Sequence, residues 1–510
     1  MEKKSTDAAA SAPPEFRLTS IMVPLFAIIA GVFMVILDST AMNVALTSLV
    51  KDFNSQLPTL QWTVTGYLLA QAAVIPLAGW LSDRFGAKTI FLMSVILFTI
   101  GSALCATPNT AEWLIVFRVL QGLGGGFVLP VAMAYVFRLS PPHKVGAVMG
   151  MMGVPILFAP AIGPSLSGWL VEYHSWRWIF LLNLPIGIIC VLVGLKFLPK
   201  VDRNAVAGMD WIGMILGPIA FSALSYGVSE GAHSWSSGKT IGGLIIGGAA
   251  LIAFIITELK VRTPLLELRV FKSIDFSIGI VVQWVAQFAL YGAIFLMPQF
   301  LQQVRGYGAF DTGLILIPQA VASGLMMPVA GFLYDRIGVR WLVVAGLSLV
   351  SGAILQYSYM DGTTVGSDLT IPLIMAGMGM GLMMMPLNTH LMSKAPRSLV
   401  SRVTSITNGL QMVINSLAVA ALVTILTSRV KTHAGELQQA AGDASKMSES
   451  DTQQMLVTAG IHGFDDTFHI MIFIALFGAL LGLLLRRTKK AAAAVTGEAD
   501  AQAKAGLMHG

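Results

Sequence analysis

Charge is what this chain has least of: Asp, Glu, Lys and Arg together make up 11% of its 510 residues, against roughly 25% in soluble domains. With 55% of residues hydrophobic, an ordinary water-soluble fold is excluded, and so is a disordered, solvated chain. Cysteine is scarcer still. Cys105 and Cys190 both fall in apolar runs, which rules out a disulfide framework or a thiol metal site and leaves two small buried hydrophobes. No GxxxxGK[ST] phosphate loop occurs, and no cluster of His, Cys or acids marks a metal centre or an enzyme; no cofactor, metal or nucleic acid is expected. Residues 1–20 lack a short apolar core followed by a small-residue cleavage site, so the first apolar run reads as an uncleaved anchor.

What remains is long hydrophobic runs. A bilayer crossing takes about 20 mostly apolar residues, and fourteen segments qualify: 21–45, 61–81, 88–106, 112–137, 145–171, 178–198, 211–229, 241–258, 275–301, 312–333, 341–359, 370–392, 402–428 and 467–486. The fold class expected is an all-α, fourteen-crossing membrane protein. Lys and Arg concentrate on the cytoplasmic side of membrane proteins. Twenty-four of the 32 basic residues fall in the two tails and every second loop, seven in the alternate loops, and Arg118 lies inside the fourth crossing. This distribution, more than the net charge of +6, places both tails in the cytoplasm. The segment 429–466, polar and rich in Ser, Asp and Gln, reads as a solvated outer loop. The basic patch opening the tail 487–510 suits anionic headgroups.

The chain also repeats itself. Gly79-Trp80-Leu81-Ser82-Asp83-Arg84-Phe85-Gly86-Ala87-Lys88 returns as Gly331-Phe332-Leu333-Tyr334-Asp335-Arg336-Ile337-Gly338-Val339-Arg340, displaced by 252 residues. Each residue type suits a tight basic turn: Gly lets helix ends approach, Asp can cap the following helix, and Arg or Lys anchors to headgroups. The displacement maps the first six crossings onto the last six. The domains expected are a tail (1–20), a six-helix bundle (21–200), an inserted seventh and eighth crossing with linkers (201–274), a second bundle (275–486) and a tail (487–510). Repeats of this kind resemble the major facilitator superfamily.

Two charges lie deep in the crossings, Asp38 and Arg118, at matching depths of ~9–10 Å from the outer side. A carboxylate in hydrocarbon costs roughly 2.5–3.5 kcal/mol on insertion scales, so a functional acid with a cationic neighbour is expected; the alternative is a static pair that fixes packing. Leu37-Asp38-Ser39-Thr40-Ala41-Met42-Asn43-Val44-Ala45-Leu46 resembles the first-helix motif of the fourteen-helix drug:proton antiporter family of that superfamily, with Thr47 in place of Pro. Arg118-Val119-Leu120-Gln121-Gly122-Leu123-Gly124-Gly125-Gly126 is similar to its arginine motif. The fifth crossing, with Gly150, Gly153, Pro155, Pro160, Gly163, Pro164 and Gly168, resembles its antiporter motif, Ala159 and Ser167 standing where glycine is usual. Trp176 to Gly187 matches a further stretch typical of the group.

The resemblance implies an alternating-access exporter in a bacterial inner membrane, exchanging amphipathic, cationic drugs, dyes or biocides for protons, with Asp38 as a proton/cation site, for which substrate and proton compete, tuned by Arg118, and the two repeated turns as gating loops. Membrane lipids are its surroundings and a monomer its expected state. The second half has neutral residues at the positions matching the two charges, Leu290 and Thr370. Candidates for the substrate cavity are Asn43, Gln61, Tyr67, Gln71, Gln121, Met152, Gln287, Tyr291, Gln319, Asn408 and Gln411; for the amides, bonding between helices is the competing role. The methionines of 149–152 and 378–385 suit either a surface that repacks around varied ligands or ordinary core. A same-fold exporter of one metabolite, lipid, siderophore or antibiotic is the second reading, and a non-transporting membrane sensor the third.

Overall fold

The computed structural model describes residues 19–141, 144–200, 210–231, 234–261, 264–361, 363–364, 366–396, 399–441 and 449–486. Within them the chain is helical almost throughout: α1 (Thr19–Asp52), α2 (Leu57–Phe85), α3 (Ala87–Cys105), α4 (Ala111–Leu139), α5 (Val145–Tyr173), α6 (Arg177–Leu181), α7 (Asn183–Phe197), α8 (Trp211–Gly231), α9 (Gly238–Lys260), α10 (Ile274–Gln303), α11 (Ala309–Ile337), α12 (Val339–Tyr357), α13 (Thr370–Ser393), α14 (Val400–Ala441) and α15 (Glu449–Gly482). Thirteen helices among the described residues are long and apolar enough to cross a bilayer, Arg177–Phe197 counted as one. The 29-residue α5 lies packed between α1 and α11. In lipid every backbone N–H and C=O must bond within its own segment, which is why apolar runs of this length become helices. Side chains facing outward are apolar, Leu325 (70% exposed) and Phe473 (72%) among them. In water such a surface would aggregate, whereas acyl chains solvate it.

One expectation fails. The described residues of 429–466 are helical and not loop, because α14 continues to Ala441 and α15 begins at Glu449. A crossing uses about 20 residues, so the 42-residue α14 projects well beyond one. Polar side chains brace the projection: His433 bonds Glu436 at 3.1 Å and Asp466 at 3.0 Å.

The two repeated turns are built alike. Gly86 (φ 92°) and Gly338 (φ 81°) sit between consecutive helices at backbone angles that exclude Cβ-bearing residues. A Cβ on Gly79 would come within 2.7 Å of Ser401 O on α14, and one on Gly331 would collide with Gly146 on α5. The second helix of each repeat therefore lies against the fifth helix of the other. The aspartates follow the same crossing, contrary to the capping role expected: α3 and α12 have no side-chain cap. Asp83 accepts from Arg138 (2.8 Å) and from Arg402 of α14 (3.3 Å), and Asp335 accepts from the Gly146 N–H at the start of α5 (3.3 Å). The last basic residue of each turn also does something other than reach headgroups. Lys88 donates to Leu195 O and Leu198 O at the end of α7, and Arg340 to Leu485 O beyond α15, satisfying carbonyls that a helix end leaves open. Arg84 and Arg336 are exposed, the latter over the Phe332 ring at 4.2 Å.

Candidate functional site

Glycines on α3 and α4 decide how close the site's helices stand. A Cβ on Gly122 would be 2.5 Å from Tyr67 O and one on Gly101 2.6 Å from Gln121 Cα, so α2, α3 and α4 approach at backbone distance. This brings the Arg118 side chain over the Tyr67 ring (4.0 Å) and its Nε to Thr63 O (3.0 Å). Asp38 on α1 and Arg118 on α4 meet at 2.6 Å, both side chains fully buried.

Asp38 is saturated with donors. Besides Arg118 Nη1, Gln121 Nε2 donates to Oδ1 at 3.0 Å and Asn183 Nδ2 at 2.8 Å. Gln121 in turn accepts from Arg118 Nη1 at 2.9 Å. Asn183 is the first residue of α7, immediately after the break at Leu182 that separates α6 from α7; its amide also donates to Ser102, whose hydroxyl donates to Phe180 O. Trp176 fixes α6 by donating to Asp52 (2.8 Å) and by edge contact with Phe53. Arg118 Nη2 alone has no partner. The two oxygens are thus divided, Oδ2 facing the guanidinium and Oδ1 the two amides, and a proton on either oxygen would displace the donors at that oxygen.

A cavity opens on this acid, lined by Leu37, Asp38 and Ala41 of α1, Leu166, Ser167 and Leu170 of α5, and Ile179, Leu182 and Asn183 of the broken helix. Its enclosed space is on the order of a single water molecule, far below the roughly 300–1,000 Å³ of drug-sized pockets. It admits water, with Ser167 on its wall donating to Ala41 O (2.6 Å). Every partner of Asp38 and every lining residue precedes residue 200.

The remaining candidates scatter. Tyr67 and Gln121 belong to the Asp38 cluster, while Gln61 is exposed and Gln71 half-buried beside Gly125. Met152 is fully buried in the main hydrophobic core. In the second half Gln287 is buried, Tyr291 and Gln411 are half-buried, Gln319 donates to Met380 Sδ (3.4 Å), and Asn408 bonds its own helix at Thr404 O (2.8 Å). The side chains of Asn43, Pro155, Pro160 and Pro164 lie outside the described residues. On α5, Gly150 stands at 2.6 Å, Cβ to Met327 O, from α11, and Gly163 is overlaid by Thr40 of α1; Gly168 is half-buried. Sequence reasoning missed the roles of Asn183, Ser102 and Thr63. An amide opening a helix inside an apolar run was the available sign for Asn183. Thr63 contributes a backbone oxygen, which no side-chain pattern can reveal. No cluster able to hold a metal occurs among the described residues.

Known proteins share this plan. The sequence profile described as Major Facilitator Superfamily matches residues 28–419. The lincomycin resistance protein LmrB of Bacillus subtilis (strain 168) is 31% identical over 486 residues, covering 95% of this chain and 99% of its own. The multidrug export protein EmrB of Haemophilus influenzae is 29% identical, with 87% and 88% covered. A solved structure of the proton:xylose symporter XylE superposes with a TM-score of 0.62, over 93% of this chain and 98% of that one, at 15% identity, a likeness of fold alone.

Proposed function

Because the chain belongs to the major facilitator superfamily, we propose that it is a proton-coupled exporter of amphipathic, cationic drugs, dyes or biocides, with Asp38 as the proton site and Arg118 as the cation that tunes it. The observation carrying this reading is the buried Asp38–Arg118 pair, 2.6 Å apart, opening on a cavity of water-sized rather than drug-sized space. Full-length similarity to resistance and export proteins supports the substrate class. An even count of fourteen crossings, with α5 included, supports both tails lying on one side, and the basic loops support that side being the cytoplasm. The 252-residue displacement divides them into bundles α1–α7 and α10–α15, with α8 and α9 inserted.

In this conformation the basic ends of the bundles are cross-braced through Asp83–Arg402 and Asp335–Gly146, which suits a state closed to the cytoplasm. Protonation of Asp38 from the outside removes the charge that holds Arg118, Gln121 and Asn183. The site then relaxes, and the bundle can rock toward the inward-open form, where the proton leaves and substrate enters. Because Asp38 is enclosed by its own bundle, proton and drug exclude one another through this conformational equilibrium and not by touching the same oxygen. One deep acid makes exchange of one proton for one monovalent cation the simplest stoichiometry. The direct test is gradient-driven efflux of a fluorescent cation from proteoliposomes by the native chain and by Asp38→Asn. A second reading, a narrower exporter of a lincosamide antibiotic, is favoured by the near end-to-end match to the lincomycin resistance protein; growth assays with lincomycin against dyes and quaternary ammonium biocides separate the two.

A further inference from the structure

A pair of buried acids stands in the inserted hairpin, far in sequence from Asp38. Asp210, immediately before α8, is 4% exposed and Glu258, in the last turn of α9, 2% exposed. Each carboxyl group uses one oxygen on backbone: Asp210 Oδ1 accepts from the Gly213 N–H (2.9 Å) and Glu258 Oε2 from the Leu266 N–H (3.1 Å). The other two oxygens, Asp210 Oδ2 and Glu258 Oε1, are buried without a partner and flank the same point. A Cβ on Gly213 would collide with the first and stand 2.8 Å from the second. Glycine at 213 is what leaves them room.

We infer that Asp210 and Glu258 form a second proton-binding site, in which one proton lies between the facing carboxyl oxygens, the protonated group donating to the ionised one. Two buried carboxylates facing each other cannot both stay ionised without a cation between them, and among the described residues none stands there. Of the charged groups on neighbouring elements, Lys260 of α9 and Arg269 of the linker are exposed and Glu267 is half-buried. Asp83 of α2 and Arg402 of α14 bind each other. That last pair is where the site leads. Glu258 holds the linker at Leu266, and Pro264 O, two residues back, accepts from Arg402 Nη1 at 2.9 Å. The shared proton thus fixes the strap that braces the Arg402–Asp83 contact between the repeats. Through that strap the inserted helices report the proton concentration on the basic side to the clamp.

The inference stands apart from the Asp38 reading, since its test involves no transport. The purified full-length chain and Glu258→Gln are compared by infrared spectroscopy and by thermal melting from roughly pH 6 to pH 9, the range in which buried carboxyl groups titrate. Gln keeps the acceptor for Leu266 and supplies a permanent donor to Asp210. The native chain is expected to show a protonated-carboxyl band that Glu258→Gln lacks, and a melting temperature that falls with rising pH relative to that variant, because stability present while the proton is held is lost as it leaves. Should Glu258→Gln not fold, Asp210→Asn removes the like charge from the other side and is expected to abolish the same fall. Identical bands and parallel melting profiles in native and variant chains would overturn the proposal. So would stabilisation of the native chain, and not of the variant, by Mg²⁺ or Ca²⁺, which would make the pair a metal-cation site.

Discussion

Asp38→Asn separates a proton site from a packing device, and the structure sets how large its effect should be. The substitution keeps the shape and leaves Arg118 buried with no counter-charge. Removing one partner of a buried pair costs about 3–5 kcal/mol. The loss is only partly offset, since Arg118 Nη2 already lacks a partner and the Tyr67 face, 4.0 Å away, contributes about 2 kcal/mol in the native chain as well as in the variant. A double variant, Asp38→Asn with Arg118→Gln, removes both charges and should recover most of the lost stability as a neutral hydrogen-bonded pair. Transport should not recover with it. In proteoliposomes loaded with a fluorescent cation, an imposed proton gradient should accelerate efflux by the native chain, and both variants should lose that acceleration by at least tenfold. Substrate exchange without a gradient should persist in the double variant, showing an intact binding wall. Gradient-driven efflux at the native rate in the folded double variant would refute the proton role and leave the pair a structural one.

Other outcomes follow from the same geometry. Asn183→Ala deletes a 2.8 Å bond to the carboxylate, about 1.5–3 kcal/mol for a charged acceptor, and should displace the pH profile of efflux by about one unit or more. Asp83→Asn takes the shared carboxylate from Arg138 and Arg402; spin labels at the basic ends of α2 and α14 should report a population separated in the variant and absent in the native chain. His433 is held above the ordinary imidazole value, first by its bond to Asp466 and then by Glu436, against the effect of burial. Its bracing of the α14–α15 projection is therefore complete below about pH 6.5 and lost as pH rises through the elevated value. Amide exchange in 429–441 should quicken with pH, beyond its intrinsic trend, in the native chain and not in His433→Ala. Efflux of a monovalent cation should be indifferent to membrane potential if one proton returns per molecule exported; a clear voltage dependence would reject that stoichiometry.

The crossings were legible because lipid leaves a chain so few choices: apolar runs of fixed length, punctuated by basic turns, predict helices to within a few residues at most ends. The Asp38–Arg118 encounter was legible too, since two costly charges at equal depth have good reason to meet. The failures have different causes. The projection of α14 and α15 is polar over much of its length, so its few apolar side chains, Val430 and Phe464 among them, set up no run long enough to mark a helix, and they pack only once tertiary contact brings Phe464 onto Phe300 of α10. The turn aspartates carry a local pattern consistent with capping, yet tertiary contact takes them across to Arg402 and Gly146. Asn183 needed knowledge of a helix break inside a run that reads as continuous.

Each repeat fastens its partner, once where α2 meets α14 and once where α11 meets α5. Two points define a line, and swinging about that line parts the far ends of the bundles while leaving both joints whole. Parting the near ends demands that both come undone together, because either one left in place would still pin the seam. In the proposed transport cycle, a molecule hinged like this would yield gradually toward one compartment and all at once toward the other.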